Sequence, residues 1–519
     1  MKNIFKRVLS VALVLVMVFA LVACGGNDNT TNNNNNNNNT PGDTDANGRE
    51  HVTLIFYTQD TIQPGNDEKF AAVNEYLKEK LNVTVDFRVS SDYQSTMTTR
   101  IDAGDEWDIC LIGSSVDFQS YARRNAFAPI TEYLDLMPQT IDQLNKTGLS
   151  SFTIEDEVYA VPILKDAFIR NDATINQTLL DDLGLEFPEW ATKRDLVDFF
   201  YELKEARDEM YPDDEDYPLV QDIFYDYDQW IVSERLVGGW STPLVDVNIN
   251  EEHGYKGVPM NDTAFCPIYT QEYRDIMKTV RELVEAGVGA FDPKTFDSDG
   301  VLLNSGKLLG TFGSGLLDVP EDQNPNFKSE FYPSTVIYAS TYSFGFAINA
   351  KCENVERACE VLELMQNDTY IATTLHFGKE GSGWTDADND GTIELTEKNQ
   401  DPTNRWCYSW YGWTLGGVTA MKPIPGLPGD YFDQMRELNM TSEPKPNAGF
   451  VFDKEPVENQ LAAVSNVFAE YHNVLQTGQN ANVDELIDEF IVQLKANGMD
   501  EIVAEAQSQL DEWRAENGK

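Results

Sequence analysis

Hydrophobic and polar residues alternate with two different periods after residue 50, and this pattern predicts a β-α-β unit. Residues 52–57 form an apolar run typical of a strand, 68–81 have the periodicity of an amphipathic helix, and 83–88 alternate as in a second strand. A further helix is predicted over 93–101, and the short apolar run 108–112 predicts a third, buried parallel strand. Repeated alternation of strands and helices is typical of an α/β sheet.

Polar residues follow the first and the third predicted strands. Gln59 and Asp60 come after the first strand, and Ser114 and Ser115 come after the third. Ligands of parallel α/β sheets bind beyond the carboxyl ends of the strands. We therefore expect these four side chains at a ligand-binding site.

The pattern changes beyond residue 162, where a second lobe is predicted to begin. Small and aromatic residues alternate over 341–348, as in a strand that returns to the first sheet. The last segment, 483–513, predicts two amphipathic helices separated at Asn497 and Gly498. Helical periodicity also recurs in four other segments: 189–209, 230–236, 273–285 and 355–365. We expect the chain to cross between the two lobes more than once.

The N-terminal residues predict an export signal. Three basic residues, Lys2, Lys6 and Arg7, precede an apolar run over 8–22. Because this run is short for a membrane span and is followed by a polar tract, a permanent membrane helix is the weaker interpretation.

The signal ends in Leu-Val-Ala-Cys at 21–24, which resembles the lipobox of bacterial lipoproteins. The resemblance implies that residues 1–23 are removed, that the Cys24 thiol is acylated with chains such as palmitate, and that the lipid holds the protein on the extracellular face of the membrane. Residues 24–49 include eight consecutive asparagines at 32–39 and almost nothing to bury, so they predict a disordered tether.

The remaining chain is divided by these patterns into two discontinuous lobes and a tail. The predicted first lobe is 50–162 plus roughly 305–375, the second lobe is 163–304 plus roughly 376–475, and the C-terminal helices are 476–519.

The composition is that of a folded and very acidic protein. The 519 residues are 41% hydrophobic, and 38 Lys and Arg stand against 87 Asp and Glu, for a formal charge of −49. Removal of the signal with its three basic residues would bring the charge to −52. A surface this acidic repels phosphate backbones, so nucleic acid is excluded as a partner.

Histidine and cysteine usage argues against zinc chemistry and against a disulfide framework. The four histidines, at 51, 253, 376 and 472, lack the spacing of a zinc site. If Cys24 carries lipid, an odd number of cysteines remains, so at least one thiol has no partner within the chain. These cysteines lie at 110, 266, 352, 359 and 407.

The segment 386–397 matches the twelve-residue calcium loop at each constrained position. Gly391 stands at position six, where the bend is made, and Ile393 at position eight. The oxygen ligands expected for Ca²⁺ are the side chains of Asp386, Asp388 and Asp390, the Thr392 carbonyl, a water held by Glu394, and both oxygens of Glu397. Glycines before the loop and a proline after it argue against flanking helices, so we expect a structural calcium site. An acidic, solvated hairpin without metal is the alternative.

Aromatic residues are concentrated within eight positions, 406–413, and predict a carbohydrate contact. Flat rings with polar edges suit the apolar faces of pyranoses. Alternation predicts a strand with the residues at 406, 408 and 410 on one face, and packing into a core is the alternative role. The aromatic residues expected at the ligand are Trp406, Trp410 and Trp413, followed by the weaker candidates Trp230, Trp240 and Tyr342.

Several short motifs together resemble a known family over nearly the whole chain after the tether. They are Ala-Gly-Asp-Glu-Trp-Asp-Ile at 103–109, Asp-Glu-Val-Tyr-Ala-Val-Pro at 156–162, the segment around Ser-Gly-Lys at 303–308, Phe-Gly-Lys-Glu-Gly at 377–381, and the tail segments 498–502 and 509–513. In this order they resemble the extracellular solute-binding lipoproteins of ABC importers, family 1 type, in the oligosaccharide-binding branch of Firmicutes.

The resemblance implies an α/β, two-lobe, periplasmic-binding-protein-like fold with hinge crossings and a central cleft. It implies a monomer that captures an oligosaccharide or another polar solute and delivers it to the transmembrane subunits of an ABC permease. No catalytic residue is expected. The alternatives are a surface glycan hydrolase or lyase, which needs a close pair of acids across the cleft, and a calcium-dependent adhesion or sensory protein.

Overall fold

The computed structural model describes most of the chain after the asparagine tract. The described residues are 44–45, 48–113, 116–145, 147–169, 171–213, 219–221, 233–239, 242–249, 254–260, 262–290, 308–314, 327–330, 338–339, 342–400, 406–407, 412–423 and 429–519. The chain divides into two compact units, residues 1–50 and 51–519. In the first unit, Arg49 forms an ion pair with Asp45 at 2.8 Å.

Strands are distributed along the whole second unit. In chain order they are β1 (Val52–Gln59), β2 (Val83–Ser90), β3 (Ile109–Ile112), β4 (Thr153–Ile154), β5 (Glu157–Val158), β6 (Ala160–Pro162), β7 (Phe168–Ile169), β8 (Asn171–Asn176), β9 (Val220–Gln221), β10 (Ser233–Gly239), β11 (Thr242–Asn248), β12 (Gly289–Ala290), β13 (Gly310–Ser314), β14 (Phe327–Glu330), β15 (Tyr338–Ala339), β16 (Gly345–Ile348), β17 (Trp384–Thr385), β18 (Glu394–Leu395) and β19 (Glu443–Pro444).

Helices alternate with these strands in the first part of the unit and dominate its end. They are α1 (Asn66–Leu81), α2 (Tyr93–Ala103), α3 (Phe118–Arg123), α4 (Pro138–Asp142), α5 (Gln177–Leu183), α6 (Val197–Met210), α7 (Gln271–Glu285), α8 (Val355–Asn367), α9 (Thr369–Phe377), α10 (Glu397–Gln400), α11 (Tyr431–Thr441), α12 (Glu458–Gln476), α13 (Val483–Ala496) and α14 (Met499–Asn517). Short 3₁₀ turns are formed by Thr131–Leu136, Ser150–Phe152, Lys193–Leu196, Pro267–Tyr269, Gly412–Thr414 and Glu455–Val457.

The first sheet contains the predicted β-α-β unit. Its strand order is β2-β1-β3-β16-β6, with β1 parallel to both β2 and β3, and β16 antiparallel to β3 and β6. All four residues of β3 are buried, and so are Leu54, Phe56 and Tyr57 of β1. Because β1, β2 and β3 are parallel, their carboxyl ends meet at one edge of the sheet.

The second sheet has its own core. Its strand order is β12-β9-β13-β8-β14, with parallel and antiparallel pairs. The helices α5 and α6 pack against it through buried side chains such as Leu179, Phe200 and Leu203. After residue 305, β13 and β14 belong to this sheet, and the strand that returns to the first sheet is β16.

A small third sheet, β19-β15-β7, lies at the crossings between the two larger sheets. In the chain, β7 comes between β6 of the first sheet and β8 of the second. Likewise, β15 comes between β14 of the second sheet and β16 of the first. The predicted repeated crossing is therefore present as paired strands.

The C-terminal helices pack on the β10-β11 hairpin and on α7. Buried residues from these elements form one cluster, among them Val245, Tyr273, Phe490 and Ile502. As predicted, the last two helices are separated at Asn497 and Gly498, where Gly498 has a positive φ of 95°. These helices thus belong to the same packed body as the hairpin.

Two local predictions need correction. The helix predicted over 230–236 is wrong for residues 233–236, which belong to β10 and pair with β11 from Ser233↔Asn248 to Gly239↔Thr242. Pairing with a strand that follows directly overrides the local helical pattern. The strand predicted over 406–410 is also wrong where it is described, because Trp406 and Cys407 lie in a bend.

The five cysteines of the described chain are thiols, whereas the odd count required only that at least one of them be unpaired. Among the described residues, none of the helices combines the length and the apolar character needed to cross a bilayer.

Candidate functional site

The carboxyl edge of the first sheet carries the predicted site residues Gln59 and Asp60. Asp60 is almost completely buried, and its Oδ1 accepts a hydrogen bond of 2.7 Å from the Thr61 backbone N–H. The Asp60 N–H donates to the Ser90 carbonyl at the end of β2. The edge therefore joins the ends of β1 and β2 as the sequence predicted.

A segment distant in sequence docks on the end of β1. The Thr414 hydroxyl donates to the Gln59 carbonyl at 2.5 Å, and the Thr58 hydroxyl donates to the Thr414 carbonyl. Thr414 is completely buried. These two bonds place the neighbouring Trp413 beside the first sheet.

Trp413 forms an aromatic pair with Phe344 at this edge. Their ring centroids are 4.7 Å apart with an interplanar angle of 61°, and the Lys165 Nζ lies 5.9 Å from the Trp413 ring centroid. Phe344 packs directly on Gly113, where a Cβ would come within 2.3 Å of Phe344 Cδ1. Gly113 has a φ of 149°, in the region that favours glycine.

Trp406 packs at the start of α1. The Gly65 N–H donates to the Trp406 carbonyl at 2.8 Å, and a Cβ on Gly65 would lie 2.8 Å from the Trp406 ring. The Lys398 Nζ lies 4.3 Å from the ring centroid. Trp406 thus reaches the predicted edge, but its ring is already in contact with protein groups.

A cavity of about 650 Å³ opens next to Gly113. Tyr342, one of the weaker sequence candidates, forms part of its wall. Burial raises the pKa of the Tyr342 phenol to about 12, and its oxygen accepts a hydrogen bond of 3.1 Å from the Asn145 backbone N–H. The lining side chains and backbone come from Gln94, Thr98, Gly113, Asp117, Phe118, Gln119, Ser120, Tyr121, Arg124, Ser151, Phe152, Tyr342, Ser343, Phe452 and Lys454.

The described lining of this cavity is largely polar and aromatic. It offers amides, hydroxyls, aromatic rings and the cations of Arg124 and Lys454, and Asp117 is the single carboxylate among those residues. The Asp117 side chain caps α3 by accepting from the Ser120 N–H at 3.3 Å and also contacts the Lys454 ammonium. The described lining therefore does not contain the pair of acids that glycoside hydrolysis needs.

Sequence reasoning missed a buried polar group beneath this edge. Lys69 is fully buried in the first turn of α1, and burial lowers the pKa of its ammonium, while Cys407 and Asp60 act in the opposite direction. Lys69 lies four residues before Val73 and eight before Leu77, and residues at this spacing share one face of a helix. The sequence could therefore have placed Lys69 on the buried face of α1.

His376 is a second missed residue of the same region. Burial, with a further contribution from the Lys69 charge, lowers the pKa of the His376 imidazole to about 3. Burial likewise raises the pKa of the Cys407 thiol to about 11, against the influence of Lys69. These groups form a buried polar cluster and not a set of accessible reactive groups.

The acidic loop 386–397 begins with a turn between β17 and β18 and runs through β18 to the start of α10. One carboxylate oxygen each from Asp386, Asp388 and Asp390 lies within 4.8 Å of the others. Gly391 has a φ of 95° at the bend, and the Asp390 Oδ1 accepts from the Thr392 N–H at 2.7 Å. The side chain at position eight, Ile393, is completely buried.

The remaining predicted ligands of this loop lie at its second half. The Glu394 Oε2 accepts from the Thr385 hydroxyl at 3.3 Å across the β17-β18 pair. Glu397 begins α10, a single helical turn, and is exposed. The Asp386 Oδ2 accepts from the Lys422 Nζ at 2.6 Å, and this bond lowers the pKa of the Asp386 carboxyl. The first three acids thus converge, and Lys422 is a competing cation at the first of them.

Several sequence-predicted residues lie outside the described part of the chain. These are the lipidation candidate and five ligand candidates: Cys24, Ser114, Ser115, Trp230, Trp240 and Trp410. Their roles stay predictions.

Two family models match the chain. One is described as bacterial extracellular solute-binding protein and matches residues 60–372, which is more than half of the chain. The other is described as a domain of unknown function (DUF3502) and matches residues 446–515.

Individual relatives are similar over almost the full length. A carbohydrate ABC transporter substrate-binding protein from Streptococcus pneumoniae serotype 4 is 21% identical over 538 residues, covering 99% of each chain. The solved structure of the N-glycan transport solute binding protein NgtS from S. pneumoniae, in complex with Man1GlcNAc, has a TM-score of 0.67 at 17% identity, covering 89% of this chain and 99% of that one.

A second solved structure is similar at the level of fold. The S. pneumoniae ABC-transporter substrate binding protein FusA, as an EF-hand mutant in complex with fructo-nystose, has a TM-score of 0.54 at 16% identity, covering 89% of this chain and 100% of that one. At these identities the likeness concerns the fold, and it confirms the predicted two-lobe α/β architecture.

Proposed function

Because this chain belongs to the bacterial extracellular solute-binding protein family, we propose that it is the substrate-binding component of a carbohydrate ABC importer. The family membership confirms the expectation of a binding protein instead of an enzyme. The carbohydrate assignment is supported by the S. pneumoniae relative, a carbohydrate ABC transporter substrate-binding protein, and by the glycans in the NgtS and FusA complexes.

The observation that carries the proposal is the cavity of about 650 Å³ beside the carboxyl edge of the first sheet. Amide and hydroxyl groups of Gln94, Thr98 and Gln119 can bond sugar hydroxyls, while Tyr121 and Phe452 offer aromatic surface. The volume lies within the range of about 300–1,000 Å³ that is typical of small-molecule sites. A saccharide unit bound there would contact both sides of the cavity.

We expect further ligand contacts along the first sheet, at Gln59, Asp60 and Trp413. Gly113 lines the cavity and also contacts Phe344, which pairs with Trp413. An oligosaccharide longer than one unit would therefore run from the cavity toward the aromatic pair. The bound solute would then be passed, by a monomeric receptor, to the transmembrane subunits of the importer.

The test is a thermal-shift screen of the purified protein with Man1GlcNAc, fructo-nystose and a tripeptide mixture. A bound glycan raises the melting temperature by mass action. The variant Gln94→Ala should reduce the shift, whereas Gln434→Ala, an exposed glutamine of α11 outside the cavity, should keep it. A shift with the peptides alone would reject the carbohydrate assignment, and release of free sugar from either glycan would revive the hydrolase alternative.

Calcium bound by the loop 386–397 is the second part of the proposal. Support comes from the convergence of Asp386, Asp388 and Asp390, the bend at Gly391, and the EF-hand named in the FusA structure. Hard carboxylate oxygens are the ligands that Ca²⁺ prefers, and extracellular calcium modules work at about 10⁻⁴–10⁻³ M. When bound, the ion would fix the turn between β17 and β18 and displace Lys422 from Asp386.

Attachment to the outer face of the membrane through Cys24 is the third part. It is supported by the Leu-Val-Ala-Cys sequence at 21–24 that follows the apolar run. Cells fed an alkyne analogue of palmitate should label the wild-type protein. The Cys24→Ser variant should carry no label and should appear in the medium, and labelling of that variant would contradict the assignment.

A further inference from the structure

Two ion pairs connect α3 of the first lobe and its capping residue Asp117 with the segment 453–454 that precedes α12. The Arg123 Nη1 lies 3.4 Å from the Asp453 Oδ1, and the Lys454 Nζ contacts the Asp117 Oδ2. The polarity is reversed between the two pairs, since the first lobe supplies the cation in one and the anion in the other. Each side therefore carries one cation and one anion, and each of these charges faces an opposite charge on the other side.

The two sides of these contacts belong to different packed bodies. The helix α3 is anchored in the first core by the buried side chains of Phe118, Tyr121 and Ala122. On the other side, the Asp453 N–H donates to the Gln509 Oε1 at 2.8 Å, and the Gln509 Nε2 donates to the Asp453 carbonyl at 2.9 Å. Gln509 lies on α14, so the C-terminal helices hold the segment in place.

The same contacts border the cavity. Asp117 and Phe118 line it from the first lobe, and Phe452 and Lys454 line it from the C-terminal side. We infer that the C-terminal segment matched by the domain of unknown function supplies the movable wall of the ligand cavity, and that the two ion pairs form a latch favouring its closed state. The role of the cavity rests on the proposed function, whereas the latch is a property of the empty protein.

The charge of the whole chain explains why such a latch is useful. With a formal charge of −49, two acidic bodies that approach one another repel, and oppositely charged contacts across the gap offset this repulsion. The side chains of the pairs are 49% and 41% exposed for Arg123 and Asp453, and 52% and 37% exposed for Lys454 and Asp117. Ion pairs this exposed are weak, so the latch can bias closure and still open.

The test uses the variant Arg123→Gln with Lys454→Gln, which leaves the helix cap of Asp117 intact. In small-angle X-ray scattering at low salt without ligand, the variant should have a larger radius of gyration than the wild type. The affinity for Man1GlcNAc or fructo-nystose should fall about 2- to 25-fold, because each exposed pair shifts an equilibrium by about 1.4- to 5-fold and the two effects multiply.

The matched control is Lys278→Gln. Lys278 forms an ion pair of 2.9 Å with Asp484 within the C-terminal body, so this variant loses a comparable contact that does not cross between lobes. It should scatter as the wild type does. Equal scattering of the double glutamine variant, the control and the wild type would overturn the latch.

A charge exchange gives an independent second measurement. Arg123→Glu should expand the molecule by placing two acids opposite one another, and adding Asp453→Lys should restore the wild-type radius. The Gln509 contacts use the backbone of Asp453, so this exchange preserves them. Failure of the second substitution to restore the radius rejects the latch, whereas a restored radius without binding of either glycan supports the latch and counts against the proposed function.

Discussion

At the scale of single residues, the packing beside the cavity depends on Gly113, where there is no space for a side chain. Gly113 directly follows β3 and has a φ of 149°, and Phe344 and the Ser343 carbonyl occupy the space that a side chain would need. Phe344 in turn positions Trp413 at the edge of the sheet. The local conformation of one glycine thus leaves the space in which Phe344 packs against Trp413.

We predict that Gly113→Ala destabilises the protein by about 1–3 kcal/mol and weakens glycan binding. The added methyl group would lie 2.3 Å from Phe344 Cδ1 and 2.8 Å from the Ser343 carbonyl oxygen, so the ring must move. Differential scanning calorimetry and tryptophan fluorescence measure the two effects. Gly429→Ala, where nothing lies within 4 Å, is the control, and an equal loss in both variants would contradict the argument.

A second residue-scale prediction concerns acid stability. The native His376 imidazole has a pKa of about 3, against 6.5 in the unfolded chain, so between these values the unfolded state binds a proton that the native state does not. Protonation of His376 therefore favours the unfolded state below pH 6.5. The free energy of unfolding should fall with pH in this range, by at most about 1.4 kcal/mol per pH unit.

The variant His376→Gln should consequently lose less stability than the wild type between pH 6.5 and 4. Above pH 7 the melting temperatures of the two proteins should run parallel, which serves as the internal control. Thermal melts across this range provide the measurement, and identical pH slopes below 6.5 would show that His376 is not the linked group.

At the scale of elements, the acidic loop is connected by hydrogen bonds to the segment 418–423, which in turn contacts the first crossing between the two larger sheets. The Ile393 N–H donates to the Pro423 carbonyl at 2.9 Å, and Lys422 contacts Asp386. The same stretch reaches the first crossing, where the Val418 N–H donates to the Leu164 carbonyl at 2.7 Å. Ordering of the loop by calcium would therefore stabilise the crossing as well.

We predict that Asp388→Asn weakens calcium binding by about tenfold, equal to about 1.4 kcal/mol. The substitution removes one of the three converging carboxylates while leaving the Asp386 contact to Lys422 unchanged. Titration calorimetry with CaCl₂ gives the affinity, and chelation should lower the melting temperature of the wild type. The control is Glu380→Gln, an exposed acid outside the loop, and a wild type insensitive to both calcium and chelator would refute the site.

At the scale of the whole molecule, the excess of carboxylates over basic side chains produces repulsion throughout the folded protein. A formal charge of −49 destabilises the compact state through self-repulsion, which salt screens within about 10 Å at 0.1 M. We predict that raising NaCl from about 10 to 150 mM increases the melting temperature by about 2 °C or more. Scanning fluorimetry with a sucrose series as the non-ionic control measures this, and a falling melting temperature would mean that local ion pairs outweigh the net repulsion.

The sequence by itself determined those features that depend on neighbours along the chain. The β-α-β unit, the two final helices with their break at Gly498 and the bend at Gly391 follow from periodicity and backbone preference. Each of these rests on spacing within a few residues, where side-chain pattern and backbone geometry are directly coupled.

Only the tertiary structure decided which distant segments meet. Thr414 docks on Gln59, Asp453 faces Arg123, and His376 is buried near Lys69, although hydrophobic pattern alone does not specify a partner for a buried face. The same lack of partner information explains why residues 233–236 were predicted as a helix and form a strand. Burial is non-directional, so the identity of a contact is set by the packing of the whole fold.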